Sequence, residues 1–499
     1  MNSTAAPSSV PPKSSSPWWP VLAVAALTVL TAWPLIFTQY DRDRGRADQI
    51  NYHLPTVLRM GEQMPTPDIS DYLSSTTPGF HLVLAAVAHY VSDSFVVLQL
   101  AGSIFSLVFL CLVTRWLTMR VGPIPAFLMA AGLSLSLYVY SSTVFMLPDN
   151  AAWLFVAAIL FLGLRRRIDA WFYVVGGACL VLLVLTRQSH IWAATVMWAA
   201  AWLGGEETSS KLFESIPKRA ARAVVAFLAT LPAFGVLAWF HRLWGGLTPP
   251  FFQGYVEDAN LATPAIVLAQ LGVLGALHVG YWWRGLARAC SSAKLGVLLT
   301  LIVAFALLVI PETSFDPLEG RSSGIWGFVR PLPLIAARTS VVVLGMGAAG
   351  AIVLVGYWWS LAWRERWVMA AALAGFVAAM TMNENAWPRY HEPFLLLILA
   401  TSSALAITGT RPGAAETPLG PTLSRLLDRL RVPGLVALCG LLTLITASKL
   451  LTGDPANLRR RHPRMDRSLP ELWPESWRTE GPPPVFSVDD GLDDAAPEQ

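Results

Sequence analysis

Pro78-Gly79-Phe80-His81-Leu82-Val83-Leu84-Ala85-Ala86-Val87-Ala88-His89-Tyr90-Val91 is the stretch on which the membrane topology of this chain turns. It is mostly apolar, opens on Pro-Gly and gives way at once to Ser92-Asp93. At 1.5 Å per helical residue its roughly fourteen residues cover about 21 Å, short of a hydrocarbon core about 30 Å thick. The segment therefore reads as a helix lying at the membrane interface, not as a span. A crossing here would move every later loop to the other side.

On either side of it the chain is membrane. Of 499 residues, 54% are hydrophobic and only 14% charged, with 21 Trp and a mean hydropathy of +0.51; a soluble domain carries about 25% charged residues. Apolar runs mark about thirteen transmembrane helices, at 18–38, 94–118, 124–143, 149–164, 170–186, 188–204, 222–242, 262–283, 294–310, 336–360, 367–382, 390–409 and 433–451. These runs lack barrel alternation, so the fold class is an all-α polytopic membrane protein. The domain plan is a disordered tail at 1–17, a transmembrane domain at 18–451 with a catalytic loop at 39–93 carrying interfacial helices, and a mostly disordered tail at 452–499. The first run lacks a small-residue cleavage site and reads as a retained span.

The net charge of +4 is scattered in short clusters, which excludes nucleic acid as a partner. Cys111, Cys179, Cys290 and Cys439 stand singly, with no CxxC spacing, and read as packing residues. No P-loop, GxGxxG, HExxH or GxSxG motif occurs. No cofactor and no metal is expected.

Basic residues set the orientation. With the N-terminus in the cytosol, Arg115/Arg120, Arg165 to Arg167, Lys211 to Arg222, Arg284/Arg288/Lys294, Arg364/Arg366 and Arg411 to Arg431 all fall on the cytosolic side, as the positive-inside rule asks. Asp41-Arg42-Asp43-Arg44-Gly45-Arg46 and Arg459-Arg460-Arg461 are the exceptions. The opposite face then collects Asp48, Asp68, Asp71, Asp149, Arg187, Glu257, Asp258, Glu312, Asp316, Arg321, Arg330, Asn383, Glu384 and Arg389.

Within that set, Asp48 lies just past the first span in Ala47-Asp48-Gln49-Ile50-Asn51-Tyr52-His53-Leu54-Pro55. On an α-helix Asp48, Asn51 and Tyr52 share a face while His53 points away from Asp48. A carboxylate there could take a proton from a sugar hydroxyl or could simply cap a helix. Ser74-Ser75-Thr76-Thr77-Pro78 is an ordinary helix start that could also cradle an anion. Asp149, after Pro148, reads as an N-cap or a site acid. Leu185-Thr186-Arg187-Gln188-Ser189-His190-Ile191-Trp192 places ionisable groups at membrane depth, where they are costly unless paired or useful; Arg187 could grip a phosphate or snorkel to headgroups. In Trp387-Pro388-Arg389-Tyr390-His391-Glu392, Glu392 runs straight into apolar sequence and needs a partner such as Arg389 or His391. The pair Glu257-Asp258 reads as solvated, not as a metal pair.

The layout resembles the multi-pass glycosyltransferases of the C superfamily, and more narrowly is similar to the family of the dolichyl-phosphate-glucose-dependent α-1,2-glucosyltransferase. The matching pieces are Asp48…His53-Leu54-Pro55, Thr76-Thr77-Pro78-Gly79-Phe80-His81-Leu82, Asp149, and Arg187-Gln188-Ser189-His190-Ile191-Trp192, with Trp387-Pro388-Arg389-Tyr390-His391 matching loosely. That family has an Asp-Glu pair with His four residues after the Asp, where this chain has Asp48-Gln49 and His53 five residues on. The resemblance implies an inverting glycosyltransferase, moving a sugar from a polyprenyl-phosphate donor to a lipid-linked or envelope glycan acceptor on the non-cytosolic face. The host membrane would be the plasma or inner membrane of a bacterium or the endoplasmic reticulum of a eukaryote, and membrane lipid is a further partner. Asp48 is the expected catalytic base. Tyr52, His53, Thr77, Asp149, Arg187, Gln188, Arg389, Tyr390, His391 and Glu392 are the expected substrate-binding set. A transporter or flippase, or a ligase moving a whole oligosaccharide, stands as the alternative.

Overall fold

The computed structural model describes residues 17–40, 44–205, 216–253, 259–311, 332–335, 338–383, 387–408, 420–452 and 472–475. Expectations on residues 1–16, Asp41 to Asp43, Glu257, Asp258, Glu312, Asp316, Arg321, Arg330, Glu384 and most of 452–499 lie outside the described residues.

Every apolar run marked in the sequence contains helix. In chain order these are α1 (Trp19–Phe37), α2 (Arg44–Asp48), α3 (Leu54–Glu62), α4 (Gly79–Tyr90), α5 (Phe95–Val121), α6 (Pro123–Leu135), α7 (Leu137–Val144), α8 (Asp149–Gly163), α9 (Ala170–Thr186), α10 (Ala194–Leu203), α11 (Ile216–Trp244), α12 (Thr263–Ala276), α13 (Val279–Ser292), α14 (Lys294–Val309), α15 (Val341–Ser360), α16 (Trp363–Thr381), α17 (Pro388–Thr408), α18 (Pro421–Arg429) and α19 (Arg431–Thr452). Among the described residues six helical stretches are long and apolar enough to cross a bilayer alone: α1, α5, α11, α15, α17 and Thr422–Thr452. Two bent pairs raise the number to eight. The chain is a multi-pass membrane protein; a count of about thirteen is reached only if shorter helices such as α8, α9 and α14 also cross.

Three of the sequence runs are corrected. The run at 124–143 is broken at Ser136, where α6 and α7 meet at 68°, because Ser136 leaves the helical region with φ −60° and ψ 132°. The run at 262–283 is no single straight span: α12 and α13 diverge by 111° across Leu277-His278, and the His278 ring nitrogen Nδ1 is bonded to Leu274 O at 3.0 Å. The run at 336–360 becomes helical only at Val341. Before it, Leu334–Ile335 pairs antiparallel with Thr339–Ser340, and Ser340 caps α15 by accepting the Val343 N–H at 3.1 Å.

Burial separates the centre of the bundle from its lipid face. Of the apolar window in α17, 83% is buried, against 22% in α11 and in Thr422–Thr452. A helix apolar all round must be enclosed, and α17 is the enclosed one; it packs with α5, α8, α12 and α16. Leu22, Leu30, Phe227, Leu298, Ile302, Phe305 and Leu444 are exposed on the outer helices, as lipid-facing side chains are. Helices α12 and α15 cross at Gly272 and Gly350, where an added Cβ would run into the Met346 and Leu268 carbonyls.

Two of the arginines assigned to the cytosol by charge bias, Arg364 and Arg222, lie at one end of this bundle. Arg364 donates to Gly163 O at 2.7 Å and to Gly204 O, and Arg222 to Ala201 O at 2.9 Å, so they satisfy the last carbonyls of α8 and α10. The 15 residues of α8 put Gly163 about 20 Å from Asp149. Acids and arginines of the presumed reactive set are therefore gathered at the other end.

That other end carries the segment from α2 to α4. Helix α4 has 12 residues, too few to cross, and lies against α3 through a bond between His89 Nδ1 and Gly61 O at 2.9 Å. The loop between them is pinned by Arg59, which donates to Asp71 O at 3.0 Å and pairs with Asp68 at 3.4 Å, and by the Trp244 indole, which donates to Ile69 O at 2.9 Å. Asp68 and Asp71 thus hold the loop. In the C-terminal tail, Leu472 is buried and the Glu475 N–H donates to Glu62 at 2.8 Å, so this short piece returns to α3.

Candidate active site

Helix α2 ends at Asp48 and runs without a break into a π-turn over Gln49–His53 and on into α3. Gln49 fixes the junction. Its buried side-chain oxygen accepts from the Met146 N–H at 3.0 Å and from Gln99 Nε2 at 3.4 Å, and Gln99 itself accepts from Gln39 Nε2 at 3.0 Å. The neighbour of Asp48 anchors the loop to α1, α5 and the entry to α8.

The π-turn changes what faces Asp48. The Leu54 N–H closes on Gln49 O, an i→i+5 ring that holds one more residue than an α-turn. The charges of Arg389, Asp149 and Arg187 act on His53 in this turn. The α-helical spacing behind the expected direction of His53 does not hold here, because the wider turn changes the angle between residues. The second ring nitrogen partner is His81, with His53 Nδ1 and His81 Nε2 at 2.9 Å.

Four charged side chains form one chain of ion pairs. Arg389, in the first turn of α17, donates through Nη1 to Asp48 and through Nη2 to Asp149 Oδ2 at 2.9 Å, and Arg187 donates to the other Asp149 oxygen. Asp149 opens α8 but caps nothing, because both its oxygens are engaged by arginines. Arg187 lies over the Tyr390 ring, 5.0 Å from its centroid. Two acids against two arginines make the set neutral, the condition under which buried charge is tolerated. Arg187 reaches it because α9 stops at Thr186 and the backbone extends at Arg187 before a 3-10 turn over Gln188–Ala193. Beside the ion pairs, Asp149, Trp153, Arg187, Ser189, His190, Met380, Asn383 and Tyr390 line a small open recess.

A comparison with protein-family models finds no match, and neither does one with curated proteins. Among solved structures, the chain is similar to the crystal structure of ArnT from Cupriavidus metallidurans bound to undecaprenyl phosphate, at 12% identity and a TM-score of 0.43, covering 87% of this chain and 78% of that one. The same protein in the apo state matches at 14% identity and a TM-score of 0.33, covering 77% and 78%. The chemistry of the site is read from this chain's own residues.

Asp48, Asp149, Arg187, Arg389, Tyr390 and His53 are brought together, with Tyr52 on the neighbouring turn, its ring edge-on to Phe252 at 5.4 Å. The others do different work. Thr77 is fully buried; its hydroxyl donates to Val184 O at 2.6 Å and its N–H to Gln188 Oε1 at 3.0 Å. Gln188 completes the clasp by donating to Ser75 O at 2.8 Å and Leu247 O at 3.0 Å. Gly79 belongs to the same clasp, since a Cβ there would strike the Leu185 carbonyl. Glu392 takes neither Arg389 nor His391 as partner: it accepts from Ser136 Oγ at 2.6 Å, at the break between α6 and α7. His391 is buried edge-on to Phe376, with no hydrogen bond at either nitrogen. The set drawn from the sequence left out Trp153, Ser189, His190, Met380 and Asn383; the available signal was Trp192, two residues after His190, whose indole N–H must find an acceptor.

The clasp makes a testable distinction. Gln188→Leu would leave the Thr77 N–H and two carbonyls without partners, at about 1–3 kcal/mol for a buried group so orphaned. Its thermal midpoint should drop, and Gln188→Glu, which keeps the oxygen that accepts the Thr77 N–H, should recover part of the loss; an unchanged midpoint in Gln188→Leu would contradict the clasp.

A pH dependence follows from the histidine pair. Burial, and then the positive charge of Arg389, lower the His53 pKa from 6.5 to about 3. His81 is lowered well below 6.5 by burial and by His53. Below pH 6.5 the unfolded chain binds protons that the folded chain refuses, so stability falls as pH drops from about 6.5, by up to roughly 1.4 kcal/mol per pH unit for each histidine. Unfolding midpoints at pH 7.5, 6.5 and 5.5 should show that decline, and His81→Phe should flatten it; an equal slope in the variant would contradict the assignment.

Proposed function

We propose that the chain is an integral-membrane inverting glycosyltransferase that moves a sugar from a polyprenyl-phosphate donor to a lipid-linked or envelope glycan acceptor on the non-cytosolic face. One observation carries the reading. A carboxylate on a non-spanning loop, Asp48, is joined through Arg389 to Asp149 and Arg187, at the end of the bundle remote from the helix-capping arginines.

The donor's polyprenyl tail stays in lipid and its phosphate meets Arg187 and Arg389 at the bundle end. The phosphate competes with Asp48 for Arg389, and the freed carboxylate accepts the proton of the acceptor hydroxyl. That oxygen attacks the anomeric carbon from the face opposite the phosphate. The carbon–oxygen bond to phosphate breaks with its electron pair on the departing oxygen, and the guanidinium groups stabilise the charge that develops there. The neutral imidazole of His53, beside the ion-pair chain, is suited to a hydroxyl of the acceptor, and the Tyr52 ring to the face of its sugar.

The narrower reading, glucose transfer in an α-1,2 linkage, draws support from the two most telling pieces of the family resemblance. Thr77 of the Thr-Pro-Gly piece and Gln188 of the Arg-Gln piece are bonded to each other, so both belong to one structural unit beside the site. The finer topology goes with it: about thirteen crossings, an N-terminus in the cytosol, and the loop at 39–93 on the outer face of the membrane.

A lipid-linked oligosaccharide and envelope-glycan profile from cells with and without this chain tests the function. The expected result is a glycan lacking one sugar, with its shorter precursor accumulating, when the chain is removed. Loss of whole oligosaccharide chains from the final acceptor would point to a ligase, and unchanged glycans would refute the transferase.

A further inference from the structure

We infer that His190 is a neutral hydrogen-bond donor to a phosphate oxygen in the recess beside Arg187, locked in that role by Trp192. The inference rests on the polyprenyl-phosphate reading above and adds a ligand that the reading does not contain. The argument is one of proton inventory. An indole N–H can only donate, and Trp192 Nε1 lies 3.1 Å from His190 Nδ1. Nδ1 must therefore be the acceptor, which leaves the single proton of the neutral ring on Nε2. Protonating Nδ1 would break the indole bond inside a buried site, where His190 is only 2% exposed. The ring is held from its other side by Trp153, centroids 4.6 Å apart, so its direction is set as well as its tautomer.

The remaining lining suits an anion. Among the described residues the Nε2–H of His190 has no partner, and Trp153, also in the recess and 2% exposed, has an indole N–H without one. Arg187 and Ser189 line the same recess. The one acid there, Asp149, already has both oxygens on arginines. Several donors gathered beside a guanidinium suit the oxygens of a phosphate. Trp192 is then a positioning residue, since it meets the ligand only through His190.

The purified chain in nanodiscs is titrated with undecaprenyl phosphate and, as the uncharged control, undecaprenol, with binding read by native mass spectrometry. His190→Phe should weaken undecaprenyl phosphate about tenfold, the scale of one hydrogen bond to a charged group, and leave undecaprenol unchanged. His190→Gln, which carries its own N–H, should restore most of the loss. Trp192→Phe should weaken binding in the wild-type background yet have no further effect in His190→Gln, a pattern a packing role would not produce. If His190→Phe does not fold, the Trp192→Phe pair decides: equal affinity in both backgrounds overturns the inference. Wild-type affinity in His190→Phe overturns it too, as does loss of sugar transfer without loss of lipid-phosphate binding, which would make the ligand a sugar hydroxyl. Failure of the wild-type chain to prefer undecaprenyl phosphate over undecaprenol instead overturns the proposed function.

Discussion

Replacing Asp48 by asparagine should abolish sugar transfer while leaving the protein in the membrane at its usual yield. The amide keeps the size of the side chain and can still offer an oxygen to Arg389, so the ion-pair chain loses one charge but little geometry. What it loses is the ability to accept the hydroxyl proton, a contribution of about 10²- to 10⁴-fold in rate. Asp48→Ala should behave alike, with a somewhat larger loss of stability because Arg389 then keeps only Asp149. The assay is turnover of a polyprenyl-phosphate sugar by purified protein, normalised to folded protein. Retained activity in both variants would remove Asp48 from the role of base.

Asp149→Ala carries the largest expected cost in stability. Asp149 is the centre of the ion-pair chain, with its side chain 7% exposed and each oxygen on a different arginine. Its removal leaves Arg187 without its carboxylate and Arg389 with only Asp48, two positive charges facing one another at a buried site. Breaking a buried pair by removing one partner costs about 3–5 kcal/mol. A sharp fall in unfolding midpoint and in yield is expected, and Asp149→Asn should recover part of it by keeping the hydrogen bonds. Activity in whatever folds should also fall, because the two arginines proposed to bind phosphate are freed to move. A midpoint within a degree of wild type would contradict the idea that Asp149 organises the site.

Much of this architecture can be read in the residues before any coordinates. The shortness of the segment from Pro78 to Val91 is a matter of counting, and α4 has only 12 residues. The distribution of arginines separates the two ends of the bundle, and Asp48, Asp149, Arg187 and Arg389, scattered over some three hundred residues, do meet at one of them. Hydropathy cannot see a bend, however. The breaks at Ser136 and at Leu277-His278 cost no apolar residues, so 124–143 and 262–283 look continuous. A change of helical period is equally hidden: nothing in Gln49-Ile50-Asn51-Tyr52-His53 marks a π-turn, and an α-helical wheel is the wrong template there.

Long-range pairing explains the remaining differences. Glu392 needed a partner, and sequence proximity suggested Arg389 or His391, but Ser136, 256 positions away at a helix break, donates to it instead. Thr77 and Gln188 look like ligands when taken one at a time because each is polar in apolar sequence. Together they satisfy each other and three carbonyls, which is the ordinary requirement on buried polar groups. His190 is the converse: it drew less notice than Gln188, yet its bond to Trp192 leaves its free N–H at the recess.

The most direct test of the central claim is a single-turnover reaction. Reconstituted protein is given a polyprenyl-phosphate hexose with labelled sugar, together with a glycan acceptor extract, and lipid and glycan fractions are followed by mass spectrometry. The account predicts that polyprenyl phosphate and an acceptor heavier by one hexose appear together, with the linkage inverted relative to the donor, in wild-type protein and not in Asp48→Asn. Intact labelled donor appearing in the opposite leaflet, with no glycan gaining mass, would contradict it and make the chain a lipid transporter.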